Sequence, residues 1–124
     1  MSSNLDQFEG QKYLSLQTVR KNGTPVDTPV WFAQDGERFY VYSLANAGKV
    51  KRIRNNPRVK VIPCDIRGNT NGEWVEANAR IVDKAEAERA HKLLNQKYGL
   101  MKRIGGLFSK VMGRERTTIA IEFG

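Results

Sequence analysis

Lys21-Asn22-Gly23-Thr24-Pro25-Val26-Asp27-Thr28-Pro29-Val30-Trp31-Phe32-Ala33-Gln34-Asp35-Gly36 is the stretch on which the fold turns. It opens and closes on Asn-Gly and Asp-Gly, the dipeptides that best tolerate the positive φ of a tight hairpin turn. Between them, Val26, Thr28, Val30 and Phe32 fall on one side of an extended chain and Trp31 and Ala33 on the other. Pro29 withholds a ladder N–H, which predicts an edge strand or an irregularity at that point. Upstream, Leu14, Leu16 and Thr18 alternate with Ser15, Gln17 and Val19, the period of a half-buried strand. Downstream, Phe39 to Leu44 is rich in aromatic and branched residues. The reading is a meander of three strands, the second running from about Val26 to Gln34.

Working outward, Gly48 to Asn55 reads as a short helix that must stop ahead of Pro57. Arg58 to Asp65 and Glu73 to Val82 read as the fourth and fifth strands, joined by the polar loop Arg67–Gly72. Asp83, with Glu86 three residues on, has capping-box spacing and opens a helix to about Tyr98, with Ala87, Ala90, Leu94 and Tyr98 on its inner stripe. Leu100 to Met112 repeats the helical period around Gly105-Gly106, and Thr117 to Phe123 closes the chain as a sixth strand. The fold class is mainly β: a small, mostly antiparallel barrel with helices at its ends, forming one domain over residues 1–124. Pairing two copies would cover its edges and wall a pocket that so short a chain cannot enclose alone.

Twenty-one Lys and Arg against thirteen Asp and Glu leave a net charge of +8, which favours polyanions or a phosphate-bearing small molecule. One cysteine excludes an intramolecular disulfide, and a single histidine excludes the common multi-histidine metal sites. No apolar run approaches the roughly 18–20 residues of a membrane span. Met1–Gly10 is polar and does not read as a signal peptide, so the expected compartment is the cytoplasm, with no membrane partner and no metal.

Between Ala45 and Cys64 there are six basic residues and no acidic one. On a helix, Val50 and Ile53 share the buried face, while Lys49 and Arg52 project together beside the first turn. That turn, starting at Gly48, presents unpaired N–H groups and the positive end of the helix dipole, so the pair makes a site for a terminal phosphate. A merely solvated basic helix has the same spacing. Thr28 offers a hydroxyl and Trp31 a flat face to a planar heterocycle; a barrel strand with a core tryptophan explains both equally well. His91 reads as a surface histidine and Cys64 as a small buried residue. The sequence holds no Ser/His/Asp set, no GxGxxG and no phosphate-binding glycine loop of the Walker type, so no side chain is assigned as catalytic and any reaction falls to a bound cofactor. The competing class is a nucleic-acid-binding barrel using the Lys49–Lys60 patch with the aromatics of Trp31-Phe32 and Phe39–Tyr42.

Asn22-Gly23-Thr24-Pro25, Thr28-Pro29-Val30-Trp31-Phe32, Tyr42-Ser43, Gly48-Lys49 through Asn56-Pro57-Arg58-Val59, and Val75-Glu76-Ala77-Asn78-Ala79-Arg80-Ile81-Val82 occur in an order that resembles the pyridoxamine 5'-phosphate oxidase-like split-barrel superfamily, particularly its short flavin- or deazaflavin-dependent oxidoreductases. The resemblance implies a six-stranded split β-barrel, a homodimer with two interfacial cofactor sites, and FMN as cofactor, with deazaflavin F420 or FAD as alternatives. It implies that Thr28, Pro29, Val30 and Trp31 line the ring system, that Tyr42 and Ser43 lie near the ribityl and phosphate region, and that Lys49, with Arg52 behind it, holds the phosphate, with Gly48 and Lys51 also counted as cofactor-binding residues. Trp74 would reach the site from the other subunit. Ser43 stands where the family usually has Thr, and Ala77 where Gly is common, which would narrow the space beside the cofactor. The segment carrying the substrate-binding Arg and His residues of true pyridoxamine phosphate oxidases is missing. The implied activity is therefore a reductase that passes hydride to a small oxidised organic substrate. A cofactor carrier without turnover is the alternative on the same fold.

Overall fold

The computed structural model describes residues 5–44, 48–104 and 116–123. Its strands are β1 (Tyr13–Val19), β2 (Pro25–Trp31), β3 (Ala33–Asp35), β4 (Arg38–Leu44), β5 (Arg58–Cys64), β6 (Val75–Ile81) and β7 (Arg116–Glu122). Two helices join them, α1 (Gly48–Asn55) and α2 (Lys84–Ile104). All seven strands form one curled antiparallel sheet in the order β2-β1-β5-β6-β7-β4-β3.

Both hairpins form where the glycine dipeptides stand. Gly23 takes φ 90° and Gly36 φ 63°, and the Asn22 side chain accepts the Thr24 N–H at 3.0 Å to fix the first turn. The meander, however, is interrupted. The chain breaks at Phe32, so β2 pairs only with β1 and β3 only with β4, at opposite edges of the sheet. One extended segment thus supplies both edges and curls the sheet toward closure, giving seven strands where the sequence pattern suggests six. Pro29 sits in regular register opposite Ser15 on edge strand β2, where its missing N–H leaves no ladder bond broken.

The concave face carries the main core: Leu14 and Leu16 of β1, Phe39 and Val41 of β4, Val59 and Val61 of β5, Ala77 and Ala79 of β6, Ile119 and Ile121 of β7. Val50 and Ile53 of α1 join this core, closing one end of the half-barrel. Leu5 and Phe8, from the polar N-terminal stretch, join it too; Phe8 meets Phe39 edge-on at 5.0 Å. Over the convex face lies α2, with Ala90 against Tyr40 and Ala120, and Leu94 against Ala33 with Trp31 and Tyr42 packed alongside. This helix continues through Gly99 to Ile104 rather than ending near Tyr98; Gly105-Gly106 and the rest of the second helical stretch lie outside the described residues.

Only half of the capping box forms. Asp83 accepts the Glu86 N–H at 2.9 Å, but the Glu86 carboxylate turns to the sheet, where Arg80 grips it with two bonds of 2.8 Å and the Tyr40 hydroxyl donates at 2.8 Å. Arg80 also holds Glu122 at 2.9 Å, and Arg38 bridges Glu122 at 2.9 Å, tying α2 to three strands. These hydrogen bonds, those of Arg80 foremost, keep both carboxyls below the usual carboxylate range. Folding lowers both pKa values, so their contribution is complete above the unfolded value of about 4.3 and is lost as pH falls through the lower folded values. Glu86→Gln is expected to cost about 1–2 kcal/mol near neutral pH, the scale of a charged hydrogen bond. Thermal melts across the acid range should also show a shallower acid limb for this variant than for the native chain.

Candidate anion and cofactor site

Because Val50 and Ile53 are buried, the orientation of α1 is fixed, and with it the direction of its cations. Val50 is fully buried and Ile53 3% exposed, while α1 packs on β1 and β6. Arg52 curls back over the start of its own helix. Its Nε donates to Thr18 Oγ1 at 2.6 Å, and its guanidinium occupies the space that a Cβ on Gly48 would enter, 2.8 Å from Nη1. Thr18 is fully buried on the concave face of β1, two residues beyond Leu16.

Lys49 stands beside this guanidinium. Burial first, and the Arg52 charge second, push its ammonium below the ordinary lysine range. Arg52 is lowered in turn by burial and by Arg20. Among the described residues no carboxylate pairs with Lys49 or Arg52, and the first turn of α1 holds no acidic residue. Three like charges thus converge on a helix N-terminus whose dipole has the same sign. An anion there would relieve the repulsion and collect the free N–H groups of the turn.

The helix pattern does not reach Arg20, which directly follows the last residue of β1. The signal that points to it is its spacing, two positions beyond Thr18, whose side chain holds Arg52. Lys51, by contrast, is exposed on the solvent side of α1.

The ring-lining candidates divide between the two faces of the sheet. Val30 is in the concave core, Thr28 lies opposite Leu16 on the same face, and buried Ser43 follows Val41 on the concave side of β4. Trp31 and Tyr42 face the other way and pack together with Leu94 of α2; Tyr42 meets His91 edge-on at 4.9 Å. Pro29 is exposed on the convex side, its Cγ 3.4 Å from where Gly68 would carry a Cβ. Trp74, 40% exposed, stands on the β5–β6 connection with Ile66, 69% exposed. Cys64 is buried, which raises its thiol pKa. The methyl group of Ala77 lies in the barrel core against Val59.

A family model described as Pyridoxamine 5'-phosphate oxidase matches residues 1–123. The chain belongs to that family. No curated protein matches it in sequence. Among solved structures, this family member is similar to the heme storage protein HutZ of Vibrio cholerae, at 18% identity and TM-score 0.68, over 97% of this chain and 87% of that one. It is similar to a FAD-binding protein of Mesorhizobium loti, at 17% identity and TM-score 0.67, over 98% and 88% of the two chains. The conserved hypothetical protein Rv2991 of Mycobacterium tuberculosis matches at 22% identity and TM-score 0.70, over 97% and 78%. These likenesses establish the fold shared with the pyridoxamine 5'-phosphate oxidase family, a curled antiparallel half-barrel with flanking helices.

The Thr18–Arg52 bond is the local hinge of the cationic cluster. Thr18→Val should cost about 1–2 kcal/mol in urea denaturation, with Thr18→Ser recovering most of it, since only the serine keeps an acceptor for Nε.

Proposed function

We propose that the chain is an oxidoreductase of the reductase type that binds a phosphorylated flavin or deazaflavin, FMN first, by the opening turn of α1. The observation that carries this reading is the meeting of Lys49 and Arg52 at that turn, with the charge of Arg20 acting on Arg52 and no carboxylate paired to Lys49 or Arg52 among the described residues. Membership of the pyridoxamine 5'-phosphate oxidase family and the likeness to a FAD-binding protein support the same class of ligand.

The donor set suits a phosphate. Gly48 leaves room for the Arg52 guanidinium over the helix start, Thr18 fixes its plane, and Lys49 adds a point charge. Thr28, Pro29, Val30 and Trp31 of edge strand β2 are the residues assigned to the ring, Thr28 and Val30 from the concave face and Pro29 and Trp31 from the convex one, and Tyr42 and Ser43 of β4 are those assigned to the ribityl and phosphate region. Trp31 and Tyr42 pack with Leu94 of α2, which fixes the strands that carry these residues. Hydride transfer to a small oxidised organic molecule is the chemistry such a ring supplies when bound. The chain's own residues anchor, orient and exclude water, and none is assigned as an acid or base. Exposed Trp74 is the residue assigned to reach a second copy in a homodimer.

Replacing Lys49 and Arg52 together by alanine should weaken FMN binding by about 100-fold or more, two lost charged contacts at ~1.5–3 kcal/mol each. Riboflavin, which lacks the phosphate, should lose less than about threefold in the same fluorescence titration; equal losses for both would remove the phosphate clamp from the account. Gly48→Ala should keep the native melting temperature, because only the flexible end of Arg52 has to move, yet reduce FMN affinity by about tenfold through displacement of the guanidinium.

A further inference from the structure

Where β2 gives way to β3, α2 delivers a lysine that has no part in the α1 site. The stem of Lys97 is exposed, but its amine folds inward, donating to the Phe32 carbonyl oxygen at 2.8 Å and standing 3.5 Å above the centre of the Phe32 ring. Beside it opens a cavity of about 410 Å³ with Phe8, Phe32, Ala33 and Leu93 as its apolar wall and Glu9, Gln34 and Gln96 at its polar margin. That is the size range of pockets that hold small organic ligands.

We infer that Lys97 is a nucleophilic amine that captures a ring-bearing aldehyde in this cavity as a Schiff base. The lysine nitrogen attacks the carbonyl carbon, the resulting carbinolamine loses its oxygen as water, and a C=N bond replaces C=O with no change in oxidation state. Both protons of the neutral amine end in that water, relayed through the solvent to which the lysine is open. No other reactant is needed.

Two features make this amine suited to the step. First, a cavity with partly exposed Leu93 on its apolar side opens beside the amine and can hold an aromatic aldehyde there, which a lysine on open surface lacks. Second, burial pulls Lys97 down to about 8, although the ring beneath it favours the charged form. At physiological pH about 20% of such an amine is neutral, against about 0.1% for an ordinary lysine. Its lower basicity takes back part of that gain, leaving an advantage of about tenfold. Glu9 is the one other titratable group in the described lining of the cavity, and burial is the cause that lowers Lys97.

The experiment treats the native chain with benzaldehyde and cyanoborohydride and follows each lysine by peptide mass mapping, which also separates the chain's α-amine. Lys97 should be alkylated about ten times faster than exposed Lys51 and Lys60 near pH 7.4, with its rate levelling off above about pH 8. Its lead over Lys51 should be larger with benzaldehyde than with formaldehyde, which gains nothing from the cavity wall. Labelling of Lys97 no faster than Lys51 and Lys60, a rate still climbing in proportion to hydroxide above pH 9, or the same lead with both aldehydes would overturn the inference.

Discussion

One residue, Phe32, stands between β2 and β3, and the half-barrel depends on the break it makes between them. Its ring is 1% exposed and lies 5.0 Å from Phe39 and 6.0 Å from Phe8, so the point at which the chain changes direction is also a point where three aromatic rings meet. Emptying a site of this kind costs about 3–5 kcal/mol, a large part of the stability of any small domain. The cost of misplacing the break is what holds the two ends of one extended segment at opposite sheet edges. The same residue lends its carbonyl and ring to Lys97, so the corner that curls the sheet also shapes the cavity beside α2.

The curl leaves one end of the concave face to be filled, and α1 fills it. Val50 and Ile53 are the apolar anchors, and once they are buried the helix has no freedom to turn its cations elsewhere. Lys49 and Arg52 are thereby held together against their mutual repulsion, a disfavoured arrangement that hydrophobic burial on the opposite face of the helix offsets. Strain of this kind persists at binding sites because the surrounding packing over-determines it. Packing thus chooses the face of this single short element, and with it the direction of its cations.

Much of this architecture is legible in the sequence because the relevant signals are local. Asn22-Gly23 and Asp35-Gly36 mark their turns, the β1 alternation gives its concave face, and α1 has the bounds that Pro57 and the Val50–Ile53 spacing require. The break at Phe32 is not legible, since alternation runs on through Ala33 with no glycine or proline from Val30 to Asp35, and the irregularity that Pro29 suggests falls three residues too early. Phe8 escapes notice because a three-residue 3-10 turn in a polar stretch has no periodicity. Gly99 does not end α2, as a lone glycine costs only about 1 kcal/mol in a helix. Glu86 shows the limit of motif spacing: Arg80, brought near only by the folded sheet, outcompetes the capping role. In the candidate site, Lys49 and Arg52 follow from helical spacing, whereas Arg20 depends on β1 register, and the separation of Trp31 and Tyr42 from Thr28, Val30 and Ser43 depends on which sheet face α2 covers.

If the cationic turn at Gly48–Arg52 holds the phosphorylated end of a redox ring, that ligand should travel with the isolated chain. Native mass spectrometry of freshly isolated protein addresses it most directly, because subunit number and bound mass are read together. The expected spectrum holds a species carrying one phosphorylated flavin or deazaflavin per chain, released when phosphate competes at high concentration. A spectrum of bare chain alone, unchanged after incubation with FMN, F420 or FAD, would contradict it.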